Sequence, residues 1–205
     1  LNRVVAKGDM TLEKRNHLLQ KMTDDVAVLV LQDNYQQNRL ISQCYHTSSY
    51  YMSLYENFIK HYEIEGAFDR QLEFLPSISE VEERRKRGQG LLKPELSVLI
   101  SHAKIIIEKQ LRHSNFLDNE FYQSYVFKYF PAAIQKKYPE FILKHRLYRE
   151  ILSTSISNML VSDMGFSYVF QLQQEQEISI EKIVNAYLVA REVFSMNDIY
   201  LEIFS

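Results

Sequence analysis

The sequence predicts an all-α fold, and three observations carry that expectation. Apolar residues recur at i, i+3, i+4 and i+7 through most of the chain. No segment keeps the alternating period of two that a half-buried strand requires. Five glycines and four prolines in 205 residues are too few for a loop-rich or all-β chain. The clearest helical run is Leu96, Leu99, Ile100, Ala103, Ile106, Ile107 and Leu111, which share one helix face, with Val98 and Ile105 forming a second, narrower strip. Two apolar strips mean neighbours on two sides, so this helix is expected at the centre of the domain. Pro94 and Glu95 mark its start: proline's fixed φ suits a first turn where its missing N–H is not needed, and a carboxylate favours the positive end of the helix dipole.

The remaining elements follow in order. Residues 1–8 read as the tail of an upstream element, and Thr11 or Asp9 caps a short helix ending near Met22. Thr23 is a good N-cap, with Asp24 and Asp25 well placed for the dipole. The helix behind it carries Val26, Leu29, Val30, Tyr35, Leu40 and Ile41 and runs to about Tyr45. Thr47 or Ser48 restarts the chain for a helix through Tyr51, Leu54, Tyr55, Phe58 and Tyr62, which Gly66 stops. A short helix over 69–74 ends at Pro76, and Ser79 with Glu82 forms a capping box for a charged helix that stops at Gly88.

Beyond the central helix, 116–119 is a turn, 120–130 one helix and 131–138 a short second one. Pro139 opens the longest helix, 140–164, closed by Gly165, and 166–175 forms another. Ser179 caps a helix with Ile180, Ile183, Val184, Tyr187, Leu188 and Val193 on its apolar side. Ser195 with Asp198 forms a second capping box for the terminal helix. Residues 1–205 thus read as one all-helical domain, with a looser join at 88–93 that separates two helical groups.

Composition narrows the function. A net charge of −2 and a pI near 6.3 give no general attraction to nucleic acid or anionic membranes. No apolar run is long enough to span a bilayer, so neither a nucleic acid nor a membrane is expected as partner. The lone Cys44 rules out an internal disulfide and suits a reducing, cytoplasmic setting. The chain opens on Leu1 rather than methionine, and a segment of a longer protein is expected, with the working chemistry outside it.

Motifs that could carry chemistry are weak. Gly88-Gln89-Gly90 begins like a dinucleotide fingerprint, but Lys93 takes the third glycine's place and no strand precedes it. The basic run Arg84-Arg85-Lys86-Arg87 follows Glu80, Glu82 and Glu83 at the spacing of helical ion pairs, so it reads as a solvated face. The six histidines show no metal spacing, and nothing beside Cys44 would activate its thiol. No catalytic, cofactor-binding or metal-binding residue is therefore assigned. The most pointed polar pattern is Arg146, Glu150, Thr154 and Asn158, spaced by four on the long helix, with His145, Arg149 and Ser153 flanking it. It reads either as a solvated face or as an internal network fixing helix register. The internal reading makes Arg146 and Glu150 a buried pair, and the tyrosines of 50–62 are expected to mark a contact surface.

Taken together, several blocks resemble one family. His145 to Ile151, then Thr154, Asn158 to Val161, Met164-Gly165, Val169 to Leu172 and Ala186 to Phe194 are similar to the C-terminal region of the large bacterial NAD-specific glutamate dehydrogenases. Upstream, Arg15-Asn16, Met22 to Ala27, Leu31 to Tyr35, Leu72 to Pro76 and Lys93 to Leu96 continue the likeness collinearly. Two departures stand out: Leu92 occupies a position usually held by Thr or Ser, removing the cap opposite Glu95 and allowing the central helix to start a residue or two away, and Lys93 replaces an arginine. The resemblance implies a parent that oxidises L-glutamate to 2-oxoglutarate with NAD. The family's catalytic lysine and aspartate and its nucleotide loop lie before this segment. The resemblance accordingly implies a helical accessory domain that buttresses the catalytic domain, contributes to a homo-oligomer, or conveys regulation. A free-standing helical interaction module is the alternative, and a nucleic-acid-binding protein a weaker third reading.

Overall fold

The computed structural model describes the backbone of residues 1–204 and the side chains of these residues other than 197, 200, 201 and 204. It is 76% helical, and no strand occurs among the described residues, so the all-α expectation holds.

The chain opens with α1 (Asn2–Ala6) and α2 (Leu12–Lys21), the second capped by the Thr11 hydroxyl, which accepts from the Lys14 N–H at 3.2 Å. After the single joint at Met22 comes α3 (Thr23–Thr47), the longest helix. Thr23 does not cap it: its hydroxyl donates back to the Leu19 carbonyl, bridging the joint between the two helices. Neither Thr47 nor Ser48 caps α4 (Met52–Ile64), whose N-cap position is Tyr51. Gly66 stops that helix as expected; it takes φ +73°, and the Ala67 N–H reaches back to the Tyr62 carbonyl.

The helix expected over 69–74 is a set of turns. The Asp69 carboxylate accepts the N–H groups of Gln71 and Leu72, an aspartate turn that competes with continued helix. The following capping box is real but shifted by two residues: Ser77 and Glu80 cap α5 (Ile78–Lys86), not Ser79 and Glu82.

The central helix α6 (Lys93–Arg112) begins where Pro94 and Glu95 place it. The start is not displaced by Leu92, because Glu95 alone secures it, accepting the Leu92 N–H at 2.6 Å. Leu96, Leu99, Ile100, Ala103, Ile107 and Leu111 are buried, whereas of the second strip Val98 is half-buried and Ile105 is exposed.

The largest departures lie beyond α6. The single helix expected over 120–130 is a 3-10 turn followed by the short α7 (Gln123–Phe127), and α8 (Ala132–Lys137) follows. The long helix from Pro139 is two helices, α9 (Pro139–Leu143) and α10 (Tyr148–Met164). Between them the His145 Nδ1 accepts the Leu147 N–H and the Lys144 carbonyl accepts from Arg3, which draws both groups out of a helical ladder.

Gly165 (φ +79°) turns the chain into α11 (Phe166–Glu175), and α12 (Ile180–Val193) and α13 (Met196–Phe204) complete it. On α12 Ile180, Ile183, Val184 and Leu188 are buried, but Val193 is exposed. Ser195 takes φ +47°, not the extended geometry of an N-cap, so it does not set up the second capping box.

The body is organised around α6. Helix α10 lies along it, α3 touches it through its second half, and α11 and α12 close the remaining sides. Helix α4 joins through an aromatic cluster, with Phe166 stacked on Tyr55 at 5.0 Å and edge-on to Phe58 at 5.2 Å. The Gly88–Lys93 join is tied down as well. Ser48 accepts the Leu91 N–H at 2.6 Å, and a Cβ on Gly90 would lie 2.4 Å from that same hydroxyl.

Candidate functional site

The first half of α3 is the most unusual surface of the molecule. Val26, Ala27, Val28, Leu29, Val30 and Leu31 are six consecutive apolar residues, and at 100° per residue they occupy every side of the helix. All are exposed, Leu31 to 67% and the following Tyr35 to 65%, and Leu12 and Leu19 of α2 are exposed as well. Burial begins only at Leu40 and Cys44, where α3 meets α6. A segment apolar on all sides is the kind that other protein encloses.

The rest of the body is held by paired charged groups, most of them withdrawn from water, with Arg149–Asp118 the exposed exception. On α12, Arg191 bonds the Asp163 carboxylate of α10, which also accepts the Tyr187 hydroxyl. Burial, and then the Asp163 charge, push the Tyr187 phenol well above its usual range. Arg149 bonds Asp118 and the Ser114 carbonyl and reaches the Arg112 carbonyl at 3.2 Å, tying α10 to the end of α6. Arg70 bonds Glu56 and Glu63 of α4 and the Pro76 carbonyl. Arg84 bonds Glu95 at 2.7 Å, and that bond is the main cause of its raised pKa. The basic run therefore contributes one arginine to a structural lock, and the other three residues are exposed.

Of the polar stripe, the structure brings together Thr154 and Asn158. They line a cavity of about 420 Å3 between α3, α6 and α10, with Ser97, Ser101 and Lys104 opposite. Burial lowers the Lys104 pKa against the opposing pull of Asp33. Glu150 is half-buried at the start of α10. Arg146 is exposed and precedes α10, so the expected buried pair with Glu150 does not form: the break at 144–147 removes the shared helix on which it depended. Its flanking neighbour Arg149, at the border of the stripe, makes ion-pair and carbonyl bonds instead. Pro94 and Glu95 sit in the first turn of α6, as read. Among the described residues no group of three His, Cys, Asp or Glu side chains is placed to hold a metal ion, and no helix is long and apolar enough to cross a membrane.

The tyrosines of 50–62 divide. Tyr55 and Tyr62 are core, burial raising Tyr62 to a pKa of about 12, whereas Tyr50 and Tyr51 are exposed in the turn before α4.

The described residues thus form an all-helical body tied together by side-chain ion pairs, with one exposed apolar stretch at 26–31 of α3. Residues 88–205 match the family model described as the C-terminal part of glutamate dehydrogenase, and residues 1–44 match that of the catalytic domain of bacterial NAD-glutamate dehydrogenase. The chain belongs to this glutamate dehydrogenase family. It is 41% identical over 96% of its length to an NAD-specific glutamate dehydrogenase of Pseudomonas aeruginosa. With those of Halomonas elongata and Mycobacterium tuberculosis it shares 38% and 30%, each over 99% of its length. The chain spans only 12–13% of the length of these relatives.

Proposed function

We propose that this chain is the helical C-terminal part of an enzyme that oxidises L-glutamate to 2-oxoglutarate with NAD, and that its role there is structural. The catalytic groups and the NAD site belong to the rest of that enzyme, which works as a homo-oligomer in the cytoplasm. The body around α6 braces the catalytic part, and the polar stripe of Glu150, Thr154 and Asn158 helps to set how α10 lies beside its neighbours. The observation that carries this reading is the all-round apolar stretch of α3. It lies within the segment that matches the catalytic-domain model, and it has no cover in the chain itself. A helix of that kind is stable in water only when enclosed, and the remainder of the longer enzyme is the body positioned to enclose it. A free-standing module would instead expose six apolar residues to solvent.

The test uses Leu31→Ser in the full-length enzyme and in this chain. In this chain the change is neutral, within about half a kcal/mol, as for ordinary surface positions. In the full-length enzyme it lowers thermal stability and activity together. This chain alone shows neither glutamate-dependent NAD reduction nor micromolar NAD affinity by calorimetry. Turnover or such affinity, or a full-length enzyme indifferent to Leu31→Ser, contradicts the reading.

A further inference from the structure

A second surface lies where α1 and α2 meet the break between α9 and α10. A cavity of about 630 Å3 opens there, walled by Arg3 and Arg15 on one side and by His145 and Arg146 on the other, with Leu19 and Phe141 as an apolar floor. No carboxylate lines it. The arginines that are bonded are held by neutral acceptors. Arg15 gives Nη1 to the Asn2 side-chain oxygen at 2.9 Å, and its Nε and Nη2 to that of Asn16 at 3.1 and 2.8 Å. Arg3 gives Nη1 to the Lys144 carbonyl at 3.1 Å. None of Arg3, Arg15 and Arg146 forms an ion pair among the described residues, in contrast to Arg70, Arg84, Arg149 and Arg191. An adjoining cavity of about 370 Å3, which shares Arg3 and Phe141, adds Lys7 and Lys144 against the single carboxylate of Glu140.

Three guanidinium groups around one cavity repel one another, and a neutral acceptor orients a guanidinium without cancelling its charge. The His145 Nδ1 is occupied by the Leu147 N–H, so in the neutral ring Nε2 carries the proton and is a donor. Planar guanidinium forks match the oxygens of carboxylates and phosphates. The cavity volume falls in the range of small-molecule sites, which favour junctions between structural units. Here the junction is between the segment that matches the catalytic-domain model and the segment that matches the C-terminal model.

We propose that this cleft binds a free oxyanion carrying two or more negative charges, held by Arg3, Arg15 and Arg146 with its carbon or phosphorus body over Phe141. Bound there, the anion links α1 and α2 to the 141–146 segment, so its occupancy stiffens the junction between the two matched segments. After burial, the charges of Arg3, the chain's amino terminus and Arg146 lower the His145 pKa, and such an anion would offset those charges.

The test is calorimetric titration of this chain with tricarballylate, pyrophosphate and acetate, each against chloride at matched ionic strength, with the His145 ring resonances followed by NMR. A multivalent anion binds and shifts the His145 resonances, and acetate does not. Preference for tricarballylate identifies a polycarboxylate, and preference for pyrophosphate a phosphate-bearing ligand. Arg15→Ala and Arg146→Ala each weaken binding at least fivefold, while Lys86→Ala, on the exposed face of α5, leaves it unchanged. Equal weak binding of all three anions, or affinity unaffected by Arg15→Ala and Arg146→Ala with circular dichroism intact, overturns the proposal. So does binding that vanishes in the full-length enzyme, since the cleft is then filled by that protein's own chain.

Discussion

Helices α3 and α6 are both long and both rich in aliphatic residues, yet only α6 is surrounded by the rest of the chain. The difference is in how the apolar residues are distributed. On α6 they form a face, leaving Ser97, Ser101, Lys104 and Lys109 for the other sides, and the neighbouring helices α10, α3, α11 and α12 cover that face. Over 26–31 of α3 six apolar residues in succession leave that stretch no polar side, and all of them are exposed. An amphipathic helix completes its packing within a small body, whereas one apolar all round needs a larger one. One chain thus contains a finished core and an unfinished one.

The finished part should be brittle to local change. Arg191→Ala leaves the Asp163 carboxylate, which is 13% exposed, without its cation. The expected cost is about 3–5 kcal/mol, with a similar cost for Asp163→Ala and a double variant that costs less than the sum. Thermal or urea unfolding of the three variants measures this. Singles within about half a kcal/mol of the parent would place the pair among ordinary surface contacts.

A smaller effect is expected at the join between α5 and α6. Gly90→Ala forces a methyl against both the backbone and the side chain of Ser48, an overpacking expected to cost about 1–3 kcal/mol. The same unfolding experiment checks it, and a neutral result would mean that the 88–93 join is looser than the Ser48–Leu91 bond implies.

The mildest effect is pH-dependent. Burial, followed by the charges of Arg3, the chain's amino terminus and Arg146, lowers the His145 pKa in the folded state. Folding then favours the neutral ring, so this contribution to stability is present above the unfolded value of about 6.5 and is lost as pH falls through the folded value. Protonation also removes the acceptor that holds the Leu147 N–H. The unsubstituted chain should lose stability more steeply than His145→Ala as pH falls below about 6.5, as read by melting temperature. Identical slopes would show that the ring does not secure the break.

The same contrast explains what was legible in the sequence. The face of α6 and its proline start could be read because burial there follows from period alone. The aspartate turn at Asp69 and the break at 144–147 could not. At Asp69 a nearby side chain takes backbone N–H groups in competition with a helix that the apolar pattern favours, and at 144–147 the break also rests on the distant Arg3, a partner that no local pattern announces. The buried ion pair was misplaced for the same reason: a spacing of four has meaning only on a continuous helix, so Arg149 holds α10 and Arg146 faces the cleft. The capping box read at Ser79 and Glu82 is formed two residues earlier, by Ser77 and Glu80. Nothing local in the sequence separates the covered tyrosines, Tyr55 and Tyr62, from the exposed Tyr50 and Tyr51, since the turn at 48–51 sets which of them enter α4.

The most direct test of the central claim is amide hydrogen exchange over residues 26–35, measured in this chain alone and in the full-length enzyme, with the Leu96–Leu111 stretch of α6 as internal reference. The account predicts that 26–35 exchanges rapidly in this chain and is protected to the level of α6 in the full-length protein, while α6 itself is slow in both. Equal exchange of 26–35 in the two proteins would show that nothing encloses α3, and would contradict the account.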